Sequence, residues 1–129
     1  MLVGQIIGTE VTCIPGDANL LAVSDALTAN DVGVLVVGEP TEVRGVVSER
    51  DLVHALASRR EPEEVRAIDL ASTQVAWCDA GATIGEVAIE MMEHYVRHVL
   101  VEKAGQLVGI VSARDLLAAY AATDPDSGF

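Results

Sequence analysis

Two octapeptides concentrate the polar chemistry of this chain: Gly45-Val-Val-Ser-Glu-Arg-Asp-Leu52 and Gly109-Ile-Val-Ser-Ala-Arg-Asp-Leu116. Each sets a hydroxyl (Ser48, Ser112), a guanidinium (Arg50, Arg114) and a carboxylate (Asp51, Asp115) within four residues. The apolar lead-in reads as a strand end, and the residues after the serine read as a helix start. A helix N-terminus carries free backbone N–H groups and a partial positive charge, so it favours an anion. A carboxylate that accepts from two adjacent hydroxyls suits a ribose. The glycine admits another backbone, or a ligand, close to the strand end. The Ser-x-x-Asp spacing is also close to that of a capping box, which accounts for both side chains with no ligand at all. The two readings are compatible, because a capping serine can still meet a phosphate.

Other reactive side chains form no comparable group. His94 and His98 stand at i and i+4, the spacing of a helical metal pair. They are expected to straddle a helix end and a strand, with no third ligand, so no metal site is expected. Cys13 and Cys78 make no metal-ligand pattern. They read as buried, inert thiols, with a disulfide between them left open. Trp77 stands on an expected strand, where it either stacks on a base or fills a seam. Arg50 and Arg114 either contact phosphate or are solvated residues of a helix's first turn. No nucleophile–base pair and no glycine-rich phosphate loop of the Walker type is present, so catalytic residues are expected to be none.

The chain has 129 residues, enough for one compact core but too few for two ordinary independent domains. Half of the residues are hydrophobic, yet only one Trp, two Tyr and one Phe are aromatic, so Val, Leu, Ile and Ala must fill the core. Twenty acidic residues against eight basic ones give a net charge of −12. That charge disfavours a nucleic-acid polymer and an anionic membrane surface as partners. No signal peptide and no run of about 18 apolar residues is visible, so a cytoplasmic chain with no membrane span is expected.

The two octapeptides lie 64 positions apart, and the whole chain follows that offset. From about Val3 to Val53 the sequence matches itself without a gap: Val11 meets Val75, Asn19 meets Thr83, Val23 meets Val87 and Gly45 meets Gly109. A repeat of this length signals two copies of one supersecondary unit. Each copy opens with a helical turn (Val3–Ile7, Ala67–Ala71) and a brief strand (Glu10–Cys13, Gln74–Trp77). Asn19 and Thr83 are helix N-caps. Leu20, Val23, Ala26 and Leu27, and then Ile84, Val87, Ala88, Met91 and Met92, follow at helical spacing as core packing. The first of these helices should end near Asn30. A hairpin comes next (Val34–Val37 with Val43–Val47, Val99–Glu102 with Leu107–Val111), apolar almost throughout and therefore expected to be buried on both faces. A last helix follows Ser48 and Ser112. Residues Ser58–Glu64 form a charged link, and Asp124–Phe129 reads as a frayed tail. The expected fold is thus α/β (α+β): two pseudo-symmetric repeats, 1–60 and 61–129, each a short sheet with flanking helices, packed as one module.

With both octapeptides in register behind matching helices and hairpins, the chain resembles a tandem pair of cystathionine-β-synthase (CBS) domains. The resemblance covers nearly the whole length and includes Val96-Arg-His-Val-Leu-Val101. It implies a regulatory homodimer, not an enzyme, that binds adenosyl ligands (AMP, ADP, ATP or S-adenosylmethionine) in clefts between the copies and needs no other cofactor. By position it makes Asp51 and Asp115 the ribose acceptors and Ser48 and Ser112 the phosphate-side hydroxyls, with Arg50 and Arg114 beside them. It also makes Arg97 and His98 a basic pair ahead of the second copy's strand. The chain departs from the family pattern in its first copy, where Gly33-Val34 replace the basic pair, and in both copies at Val36 and Leu100, where a proline is common. The two clefts are therefore expected to be unequal. The net negative charge ranks AMP or S-adenosylmethionine above ATP. A CBS-type interaction module with no working ligand site, presented to an unidentified protein partner, is the alternative.

Overall fold

The computed structural model describes residues 1–8 and 11–123, so Glu10 and the tail from Asp124 onward lie outside the described residues. Two compact units divide the chain: residues 11–75, and residues 1–8 with 76–123. Each contains one three-stranded sheet with its helices.

In the 11–75 unit the sheet order is β1 (Cys13–Ile14), β2 (Val34–Glu39), β3 (Glu42–Ser48). β1 runs parallel to β2, and β3 is its antiparallel hairpin partner, with Val34 opposite Ser48. Helix α1 (Leu20–Asn30) connects the parallel pair, and α2 (Glu49–Ala57) follows the hairpin. Asn19 caps α1 by accepting the Ala22 N–H at 2.9 Å. The helix stops at Asp31, which adopts the left-handed conformation with φ 51°. Leu20, Val23 and Leu27 of α1, and Leu52 and Ala55 of α2, close over Leu35, Val37 and Val47 of the sheet. Leu35 and Val37 are wholly buried.

The other unit repeats this plan with β4 (Trp77–Asp79), β5 (His98–Lys103), β6 (Gln106–Ser112), α4 (Ile84–His94) and α5 (Ala113–Thr123). His98 stands opposite Ser112, as Val34 does opposite Ser48. Thr83 caps α4 at 3.1 Å, and Tyr95, 64 positions after Asp31, ends it with φ 54°. Ile84, Val87, Met91, Val99, Val101, Val111 and Leu116 form its core with Val3.

The leading turn of each copy sits in the other copy's unit. The 3-10 turn Val3–Gln5 docks beside β4, where Val3 and Gly4 donate to the carbonyls of Ala82 and Ala80 at 2.8 and 2.9 Å. The short helix α3 (Ala67–Leu70) joins the 11–75 unit through Ala67 N–H to Ala18 O at 2.7 Å and Ile68 N–H to Gly16 O at 3.0 Å. Ser72 and Val46 then exchange backbone hydrogen bonds of 3.0 and 2.8 Å.

The element order is as the repeat implies, with three departures in detail. The opening strands begin later than expected, at Cys13 and Trp77, and the Thr12 and Ala76 carbonyls just before them accept the Val36 and Leu100 N–H groups at 3.0 and 2.9 Å. Met92, expected in the core, is 76 % exposed: α4 already buries Ile84, Val87 and Met91, and Met92 lies off that stripe. Only the central strands β2 and β5 bury consecutive residues, Leu35–Val37 and Val99–Val101, whereas β3 and β6 alternate because they are edge strands covered on one face.

Candidate functional site

Both octapeptides fold as the sequence reads, from strand end to helix start. In the 11–75 unit the Asp51 N–H reaches the Ser48 hydroxyl at 3.4 Å, and the Ser48 N–H donates to Asp51 Oδ2 at 2.8 Å. The Ser48 hydroxyl also donates to the same oxygen at 3.0 Å. In the other unit the Asp115 N–H donates to Ser112 Oγ at 3.0 Å, and the Ser112 N–H donates to Asp115 Oδ2 at 2.8 Å. Each turn is thus a complete capping box. The box orients both side chains and occupies one carboxylate oxygen, while Oδ1 of each aspartate takes no hydrogen bond among the described residues. The free oxygens and the helix N-termini are what these turns can offer a sugar or an anion.

The motif glycines are buried for a structural reason. A β-carbon on Gly45 would stand 2.6 Å from the Ser72 carbonyl oxygen, and one on Gly109 would stand 2.7 Å from Ile7 Cδ1. Both spaces are taken by the leading segment that each unit receives.

The expected site residues fall into two groups. Ser48, Arg50 and Asp51 belong to the 11–75 unit; Arg97, His98, Ser112, Arg114 and Asp115 belong to the other. In the second group the strand register sets His98 directly across from Ser112, and the Arg97 carbonyl accepts the Ala113 N–H at 2.9 Å. The basic pair therefore stands at the same strand end as the capping box. Burial pushes the His98 imidazole below its ordinary value; the Asp115 carboxylate opposes that fall, and Arg97 reinforces it. His98 is half-buried, whereas Arg50, Arg97 and Arg114 are exposed.

The 11–75 unit keeps the same backbone frame, with Glu49 N–H to Gly33 O at 3.0 Å, but different side chains. Glu49, which sequence reasoning did not single out, lies over Gly33: its Oε1 is 3.0 Å from where a β-carbon on Gly33 would be. The signal was present in the octapeptides, where Glu49 faces Ala113 in the alignment of copies.

His94 ends α4 and His98 opens β5, so the pair does not share a helix face. Among the described residues no group of three or more His, Cys, Asp or Glu is placed to hold a metal. Cys13 and Cys78 are free thiols. Burial, then the nearby acids Glu90, Asp79 and Glu102, push the Cys78 thiol up to about 11, which suppresses thiolate chemistry. Trp77 opens β4, half-buried and paired with Leu100. Among the described residues no helix is long and apolar enough to cross a membrane.

Comparison with known proteins agrees with this architecture. The CBS domain family model matches residues 3–58 and again 65–122, and the chain belongs to that family. Hypoxic response protein 1 of Mycobacterium tuberculosis is 34 % identical over 114 residues, which are 87 % of this chain and 80 % of that one. A crystal structure of hypoxic response protein I with two coordinated zinc ions superposes with a TM-score of 0.74 at 31 % identity, covering 92 % of this chain and 98 % of that chain. A CBS domain protein from Pyrobaculum aerophilum, solved in complex with AMP, superposes with a TM-score of 0.81 at 27 % identity, covering 95 % and 99 %.

Proposed function

We propose that the chain is a regulatory module, not an enzyme, that binds an adenosyl ligand and acts as a homodimer in the cytosol. The observation that carries this reading is the convergence of Arg97 and His98 with the Ser112–Asp115 box at one strand end. There Asp115 Oδ1 accepts from the ribose, while Ser112, Arg97, His98 and Arg114 face the phosphate. Ser48, Arg50 and Asp51 stand at the corresponding positions of the 11–75 unit, where Asp51 is the ribose acceptor. The AMP-bound relative supports the ligand class, and the net charge of −12 favours AMP or S-adenosylmethionine over ATP. A ligand moves such a module only by binding one of its conformations better than another. Thermal unfolding against millimolar AMP, ADP, ATP and S-adenosylmethionine tests the proposal. At about 100 times its Kd a ligand adds about 2.7 kcal/mol, read as a rise of several degrees in Tm. No shift with any of the four refutes it.

A second reading, a CBS-type interaction module without a working ligand site, is favoured by one observation. In both boxes the serine and the aspartate each already accept a backbone N–H of the turn, a capping role that needs no ligand. In that case the unidentified partner is a protein, and the same ligands leave Tm unchanged.

A further inference from the structure

We infer that the two turns sort ligands by charge: the 109–116 turn takes the phosphate of an adenosyl nucleotide, whereas Glu49 makes the 45–52 turn selective for an adenosyl ligand without phosphate, uncharged or cationic. This rests on the adenosyl reading above and names the ligand class of each turn. The helix N-terminus, the capping box and the arginine of the first turn (Arg50, Arg114) are common to both turns, so they do not discriminate. Three differences do.

The basic pair Arg97 and His98 has Gly33 and Val34 as its counterparts, so the guanidinium is matched by a bare glycine. The methyl of Ala113 has the Glu49 carboxylate, whose Oε1 fills the space where a side chain at position 33 would begin. A negative group therefore stands at the point from which the positive one projects in the other copy. The third difference is the serine proton. Ser48 gives its hydroxyl hydrogen to Asp51 Oδ2 at 3.0 Å, whereas Ser112 makes no such donation among the described residues, which leaves its hydroxyl able to donate to a phosphate oxygen. A phosphate at the 45–52 turn would meet a carboxylate and a spent hydroxyl. A sulfonium or a neutral nucleoside would meet an acceptor instead. Like charge at close range excludes a ligand as effectively as a clash, and opposite charge admits one.

The test is calorimetric titration of the intact chain and of Glu49→Gln with AMP, adenosine and S-adenosylmethionine. Glu49 is exposed and Gln is isosteric, so the variant keeps the fold. The wild-type chain should bind one equivalent of AMP. Glu49→Gln should open a second AMP equivalent, or strengthen a weak second phase at least about fivefold. Adenosine binding should change by less than about twofold, and S-adenosylmethionine should weaken. Two equal AMP equivalents in the wild type, or an AMP isotherm unchanged by Glu49→Gln, overturn the inference while leaving the adenosyl reading intact. Failure of all three ligands to bind either protein overturns both.

Discussion

His98 is the half-buried basic residue of the candidate site. At the head of β5 it feels the Asp115 carboxylate of α5, with Arg97 beside it in the chain and Ser112 across the ladder. Burial lowers its pKa from 6.5, the Asp115 carboxylate opposing and Arg97 assisting. The unfolded chain therefore binds a proton at a higher pH than the folded one does, so stability contributed by the neutral imidazole is full above about 6.5 and is lost as pH falls below it. Urea midpoints at pH 7.5 and 5.5 should differ more for the wild-type chain than for His98→Gln; an equal drop in both would contradict this placement. The capping residues were legible from spacing alone, since Ser-x-x-Asp states the box. The contact between Glu49 and Gly33 was not, because it joins a strand-to-helix junction to a helix-to-strand junction 16 positions away and depends on side-chain direction.

At the scale of elements, the motif glycines explain why a strand that enters each helix carries no side chain at that point. Gly45 makes room for the Ser72 carbonyl and the short β-bridge through Val46. Gly45→Val forces backbone apart and should cost about 1–3 kcal/mol in urea unfolding. Gly85→Ala in α4 is the contrasting case. Its nearest neighbour is the Tyr120 hydroxyl at an ordinary 3.4 Å, and removing a helical glycine should gain up to about 1 kcal/mol. Equal effects at the two positions would contradict the packing described. The helices, hairpins and their order were readable because apolar period and cap residues repeat at a fixed offset, as at Asn19 and Thr83. The exchange of leading turns was not readable. Val3 and Ala67 have the same apolar character whichever sheet they cover, and only tertiary contact decides.

At the scale of the whole molecule, each copy leaves apolar side chains in solvent at the same two positions of its last helix. Val53 and Leu56 of α2 are 63 % and 53 % exposed, and Leu117 and Tyr120 of α5 are 58 % and 38 % exposed. Beside Leu117 and Tyr120, Met92, Val96 and Ala113 line an apolar groove of about 320 Å³. Such a surface supports the proposed homodimer, since self-association removes it from water. Sedimentation velocity should find a dimer for the wild-type chain and a monomer for Leu117→Asp, with far-UV circular dichroism unchanged; a variant that stays dimeric assigns the interface elsewhere. The central claim is that this frame presents a ribose acceptor at the 109–116 turn. Titration calorimetry of AMP into the wild-type chain and into Asp115→Ala tests it most directly. Saturable binding to the wild type, weakened at least about tenfold in the variant while the variant still unfolds cooperatively about 1 kcal/mol less stable from its lost cap, is the result predicted. The contradicting result is AMP binding with equal affinity to both proteins, or to neither.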